Sequence, residues 1–276
     1  MEGWTETCRS IVAPWECDTT EHFTIAYYFD RLADASSSLA EILELRDWVR
    51  PKGRRFDVRF TRELRAGASF HILSGPIALG ESWLRLGHQV IDSANGEVTA
   101  WVEETLGTRA PLSPEGLRLL DWPGPAMEQR PEPITVKGFI PTARDRVKPT
   151  DLGADGNFAP AAFVHRFTTA CIQALAAIGA TSSYLESARK GYSTFELALN
   201  VTASPGLGTP LLVETGVVHL GNSSIRFLHR MCDPASGSEF ARLSQFGVQL
   251  DLDARRPAAL PEALRSAAAR LLVPVE

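Results

Sequence analysis

The chain has 276 residues, 44% of them hydrophobic, and a formal net charge of −5 at pH 7. That is enough apolar material for one large or two small cores, and the acidic balance argues against general nucleic-acid or anionic-membrane binding. No run of eighteen apolar residues occurs, and the opening MEGWTETCRS lacks a basic start followed by an apolar stretch, so the expectation is a cytoplasmic protein without membrane segments.

In chain order, a short strand at 10–13 runs into a polar knot, WECDTTEHFT (15–24), and then into a helix. Phe29, Leu32, Ala33, Ser36, Leu39, Ala40 and Leu43 keep the i, i+3, i+4 rhythm of a buried stripe. After Asp47 the period falls to two. FDVRF, SFHILSGPIAL, WLRLGHQVI and VTAWVEETL read as strands, with SANG (93–96) as the turn between the last two. The stretch 110–133 carries six prolines around SPEGLRLL and reads as a connection.

The second half repeats this order. A slide of 135 residues lays Val12 on Val147, Pro14 on Pro149, Phe23 on Phe158 and Arg31 on Arg166. A slide of 141 then lays Gly80 on Gly221, Ser82 on Ser223, Arg85 on Arg226, His88 on His229 and Asp92 on Asp233, the difference being taken up by a longer loop at 180–191. Self-similarity in constant order marks an internal duplication. The expected organisation is repeat 1 over 1–109, a proline-rich linker over 110–138, and repeat 2 over 139–276 ending in a helix. One helix and one meander cannot cover each other and the sheet edge, so two copies are expected to pair as an intrachain pseudo-dimer with a cleft between the repeats.

The four cysteines, Cys8, Cys17, Cys171 and Cys232, form no CxxC and read as free thiols, neither a zinc set nor a disulfide framework. The segment RPKGRRFDVRFTRELR (50–65) holds seven basic residues against two acidic. Arg55, Asp57 and Arg59 share one face of its strand and Phe56, Val58 and Phe60 the other. A solvated outer face and a dock for phosphates both fit that pattern. His88 and His229, at matched strand positions, read as strand-face residues. Asp18, Thr19, Thr20 and Asp155 suit a helix N-cap as well as a site.

ECDTTEHFTIAYY resembles the loop D-x-x-G-H-x-N-x-x-x-Y of hot-dog acyl-CoA and acyl-ACP thioesterases, and TDLGADGNFAPAAF is similar to a divergent copy. The chain from about Arg9 to Asp251 is thereby identified with the tandem, or double, hot-dog arrangement of 4-hydroxybenzoyl-CoA thioesterase-like and acyl-ACP thioesterase-like proteins. The resemblance implies an α+β fold and hydrolysis of an acyl-CoA or acyl-carrier thioester at the inter-repeat cleft. It implies a loop carboxylate acting on water or as nucleophile, at Asp151 or Glu16, or in another branch Asp18, with His22 or Asn157 assisting the oxyanion. Tyr28, Thr24, Asp155, Arg55 and Arg59 are the expected substrate contacts. No cofactor is expected beyond coenzyme A as part of the substrate, no nucleic-acid or membrane partner, and assembly of pseudo-dimers into larger oligomers stays open. The loops depart from the family pattern at Glu21, where glycine is usual, at Thr24, and at Asn157, Ala159 and Pro160. The absence of G-x-S-x-G fits a fold without a serine triad. Two rival readings share this chain: a non-catalytic acyl-CoA-binding protein, and a hot-dog hydratase or dehydratase, although no G-D-x-N-P stretch is present.

Overall fold

The computed structural model describes residues 3–18, 20–45, 53–108 and 117–275. They divide into two compact units. The first comprises the chain through Met127 with Ala159–Ala161 and Asn200–Ala203; the second comprises Glu128–Phe158, Ala162–Leu199 and the chain from Ser204.

In the first unit, β1 (Thr5–Ile11) leads through a 3-10 turn (Pro14–Glu16) to α1 (Ile25–Ile42), followed by β2 (Arg54–Phe60), β3 (Ser69–Gly80), β4 (Trp83–Asp92) and β5 (Val98–Gly107). The strands lie in the order β1-β3-β4-β5-β2, and every pair is antiparallel. The second unit has β6 (Ile140–Arg146), a 3-10 turn (Pro149–Asp151), α2 (Pro160–Ala177), α3 (Ser182–Ser187), β7 (Lys190–Val201), β8 (Pro210–Leu220), β9 (Ser224–Cys232), β10 (Glu239–Asp251) and α4 (Glu262–Ala269). Its order is β7-β10-β9-β8-β6, the same arrangement position for position. Each unit is a hot-dog: one long helix laid against an antiparallel sheet, in the α+β class the sequence implied.

The stripe of α1 buries Phe29, Leu32, Ala35, Ser36, Leu39 and Ala40. The first strand begins earlier than its apolar residues suggest, at Thr5, because the ladder to β3 extends through the polar half TETCRS. The expected loop at 180–191 instead contains α3, capped by Thr181, whose side chain accepts from the Tyr184 amide. Of SPEGLRLL, the first four residues fall outside the described residues, and 117–120 form no helix.

The proline-rich stretch is divided between the units. Leu120 donates its amide to Pro76 O (2.8 Å), and Trp122 packs on Trp4 and Trp101. Gly75 lies close beneath this strap, where a Cβ would stand 2.4 Å from Leu120 Cδ1 and push that side chain aside. The second unit closes in the same manner with its C-terminal segment, where Val273 donates to Val217 O (2.8 Å).

Both cores carry a duplicated buried polar chain. In unit 1, Thr7 meets Ser74 (2.7 Å), Ser74 meets His88 Nδ1 (2.7 Å), and His88 Nε2 meets Glu104 (3.2 Å). In unit 2 the same steps are Thr142 to Thr215 (2.7 Å) and Thr215 to His229 Nδ1 (2.7 Å); Gln245 stands at the position of Glu104, and His229 Nε2 has no hydrogen-bond partner among the described residues. The matched histidines are strand-face residues, fully buried. The end groups differ in charge. Glu104 also binds Arg54 and Ser36, whereas Gln245 binds Thr194 and the positions matching Arg54 and Ser36 hold Phe195 and Cys171. Burial works to raise the Glu104 carboxyl, but Arg54, His88 and Ser36 outweigh it and hold it down at about 2.

Candidate active site

The two 3-10 turns carry the carboxylates that motif position marks as bases, Glu16 and Asp151. Glu16 is buried; its Oε2 accepts from the Ala13 amide (3.0 Å) and its Oε1 from Arg31 (2.6 Å). Asp151 repeats this with the Lys148 amide (2.7 Å) and a two-pronged Arg166 (2.7 and 2.6 Å). Burial acts to raise the Asp151 carboxyl, yet the Arg166 guanidinium and the Lys148 amide hold it below the usual carboxylate range. Removing one partner from such a pair strands a buried charge and costs about 3–5 kcal/mol. Each pair pins its turn to its helix, and the Thr24 amide donates to Glu16 O (2.9 Å), fixing where α1 begins.

The rest of the knot is a hydrogen-bonded cluster, not the helix cap. The N-cap of α1 is Thr24, whose side chain makes no cap bond. Asp18 Oδ1 instead accepts from the amides of Thr20 (2.8 Å) and His22 (3.2 Å) and from the Thr20 hydroxyl (2.6 Å). Thr20 Oγ1 lies 3.0 Å from His22 Nδ1, and His22 Nε2 lies 3.0 Å from Glu63 Oε2. A hydroxyl has one proton, and Asp18 takes it, so His22 Nδ1–H donates to Thr20. The Nε2 contact then needs a proton between ring and carboxylate, held by either partner. A bridge between His22 and Arg65 and the bond from the Phe23 amide to Leu64 O (2.8 Å) bring Glu63 to the loop.

Glu63 is the member sequence reasoning missed. The duplication holds its only signal: Asp18, Thr20, His22 and Glu63 correspond to Gly153, Asp155, Asn157 and Ser204. In unit 2, Asp155 accepts from the Asn157 amide (3.0 Å) and side chain (2.7 Å), and Ser204 accepts from the Phe158 amide (2.8 Å). That loop keeps its shape without an imidazole or a facing carboxylate. Thr19 lies outside the described residues.

Tyr28 is buried against Phe23 and Phe60, and burial pushes its hydroxyl well above the ordinary phenol range. Arg55 is committed to Asp57 through two bonds of 2.7 Å, Arg54 to Glu104, and Arg65 lies near Glu63 (3.4 Å) and Glu21 (3.9 Å). Arg59 is half-buried on β2. The start of the basic stretch, 50–52, falls outside the described residues.

Glu21 stands at φ 65, where Gly156 stands at φ 74 in unit 2. The left-handed turn that glycine usually supplies is thus made by a residue with a Cβ. Replacing Glu21 by Gly is expected to leave stability within about 1 kcal/mol of wild type, and Glu21→Val to cost about 1–2 kcal/mol. Urea unfolding of the three proteins checks this.

Between α1 and the sheet of unit 1, Leu39, Leu84, Leu86 and Leu106 pack as a buried apolar cluster with Leu43 and Leu45 at its edge, leaving beside Ser36 room for about one water. In unit 2 the matching Ile178, Ile225 and Phe227 pack into a cluster with Leu264 and Ala268 of α4, and Tyr192 covers Gly247, the counterpart of Leu106. Among the described residues no group of three or more His, Cys, Asp or Glu is placed to hold a metal, and no helix is long and apolar enough to cross a membrane.

Residues 147–268 match the family model of the thioesterase-like superfamily. That match covers the second repeat. No curated protein matches the sequence significantly. Among solved structures, the chain is similar to a provisionally assigned oleoyl thioesterase of Lactobacillus plantarum (TM-score 0.70, 12% identity, 90% of this chain and 98% of that one). It is also similar to an acyl-ACP thioesterase of Bacteroides thetaiotaomicron (0.68, 13%, 87% and 96%) and to the 12:0-ACP thioesterase of Umbellularia californica (0.58, 14%, 88% and 93%). At such identities the likeness is one of fold, and it spans both hot-dog units.

Proposed function

We propose that the chain hydrolyses an acyl thioester, linked to coenzyme A or a carrier, at the Asp18–Thr20–His22–Glu63 cluster of its first unit. The observation that carries this reading is the paired imidazole and carboxylate of His22 and Glu63, at 3.0 Å, which the second loop lacks. Water attacks the thioester carbonyl carbon and gives its proton to the His22–Glu63 pair. The carbonyl oxygen, negative in the tetrahedral intermediate, is stabilised by the N-terminal end of α1. The intermediate collapses, the carbon–sulfur bond breaks, and the pair returns the proton to the thiolate, leaving free acid and thiol. Glu16 and Asp151 are positioning residues in this scheme, each bound to its arginine, and the carboxylate chemistry moves from them to Glu63.

The oleoyl, acyl-ACP and 12:0-ACP substrates in the names of the structural neighbours support an aliphatic acyl group.

The function is tested by assaying wild-type protein on acyl-CoA thioesters from C4 to C18 for free thiol and free acid. Equal yields of the two support hydrolysis. Loss of conjugated absorbance from an enoyl-CoA without thiol would point to a hydratase, and tight binding without turnover to a binding protein.

A further inference from the structure

The two loops share one backbone path down to single hydrogen bonds. The amides of Glu21 and Gly156 donate to Asp18 O and Gly153 O (3.0 and 2.9 Å), and those of Gly67 and Gly208 to Val12 O and Val147 O (2.8 and 3.0 Å). The amides of Ala68 and Thr209 donate likewise to Arg65 O and Gly206 O (2.9 and 3.1 Å). Glu21, His22, Glu63 and Arg65 therefore correspond residue by residue to Gly156, Asn157, Ser204 and Gly206. All four carry ionisable side chains in unit 1, and all four counterparts are neutral. In unit 1 they form one row. His22 Nε2 and Arg65 Nη2 reach the same oxygen, Glu63 Oε2 (3.0 and 3.4 Å), and Arg65 Nη1 lies 3.9 Å from Glu21 Oε2. The turn itself does not ask for Glu21, since φ 65 suits the glycine that unit 2 has there. Strain of this kind at a loop residue points to a use for the side chain.

Resting on the proposed hydrolysis, we propose that Arg65 and Glu21 are positioning residues for the His22–Glu63 pair. Arg65 binds the carboxylate oxygen that faces the imidazole and holds it in line with Nε2. Glu21, on the other side of the guanidinium, keeps Arg65 turned toward the loop. Neither residue touches the thioester. The ion pairs of Arg65 are open to solvent and add little to the fold, so what their loss disturbs is the place of the Glu63 carboxylate.

The test measures kcat and KM for one acyl-CoA with wild type, Arg65→Ala, Arg65→Lys, Glu21→Gly and the double variant of Arg65→Ala with Glu21→Gly. Arg65→Ala is expected to lower kcat about tenfold with KM changed less than about twofold, and Arg65→Lys to recover most of the loss. Glu21→Gly is expected to lower kcat about threefold, and the double variant to match Arg65→Ala, because Glu21 acts through Arg65. The His22 ring resonances, assigned by their disappearance in His22→Ala, are followed by NMR in the same proteins without substrate. They are expected to move toward their Glu63→Gln positions in Arg65→Ala and to stay in place in Arg65→Lys. A rise in KM with kcat intact would make Arg65 a substrate contact and overturns the inference. So does an unchanged kcat in Arg65→Ala, or ring resonances indifferent to that substitution. Wild type that frees no thiol from any substrate instead defeats the hydrolytic reading on which the inference rests, and the resonances then decide the positioning by themselves.

Discussion

His22→Ala and Glu63→Gln are each expected to lower kcat/KM by about 10²–10³, and the double variant by no more than the worse single one. The two side chains share one proton across 3.0 Å, so removing either disables the same transfer. Glu63 is more than a third exposed on the loop side, so its loss leaves no buried charge behind and the fold stays intact. Steady-state kinetics on one acyl-CoA, with circular dichroism of each variant, separates the outcomes. Multiplicative losses would mean independent roles, and a silent Glu63→Gln would remove the carboxylate from the mechanism.

The second large effect is acid instability located in unit 2. Burial pushes the His229 imidazole down to about 3, with a smaller opposing effect from Gln245. The unfolded chain binds a proton near pH 6.5 that the folded chain refuses. Stability is therefore full above about pH 6.5 and falls as pH drops toward 3, at about 1.4 kcal/mol per unit and on the order of 4–5 kcal/mol in all. Glu104 of unit 1, held at about 2, begins to cost stability only below its unfolded value of about 4.3. All six tryptophans stand at or before Trp122, so their fluorescence reports unit 1. On acidification the circular dichroism signal is expected to fall before tryptophan emission shifts. His229→Gln removes the step between pH 6.5 and 4; if the step persists there, another group is responsible.

The sequence made the duplication legible because the scaffold residues were kept: Val12 and Val147, Pro14 and Pro149, Arg31 and Arg166, Gly80 and Gly221. Strand limits for β3, β4 and β5 followed from period-two patterning that a half-buried sheet enforces. The site was harder. Glu16 and Asp151 stand at a motif position, yet each has an arginine fifteen residues on, one helical face away, that turns the carboxylate into a tether. The matched Arg31 and Arg166 were visible, but only the fold shows where their guanidinium groups reach. Glu63 pairs with His22 across a bridge between separate segments, a contact no local pattern encodes. Asp18 has the chemistry of a helix cap, and only the backbone path decides that it closes a turn around Thr20 and His22 instead.

The most direct test of a single working loop is thiol release from dodecanoyl-CoA by wild type, His22→Ala and Asn157→Ala, measured side by side. The account predicts a loss of at least about a hundredfold in His22→Ala and a change under about threefold in Asn157→Ala. Loss in Asn157→Ala with His22→Ala unaffected would contradict it, transferring the chemistry to the second unit.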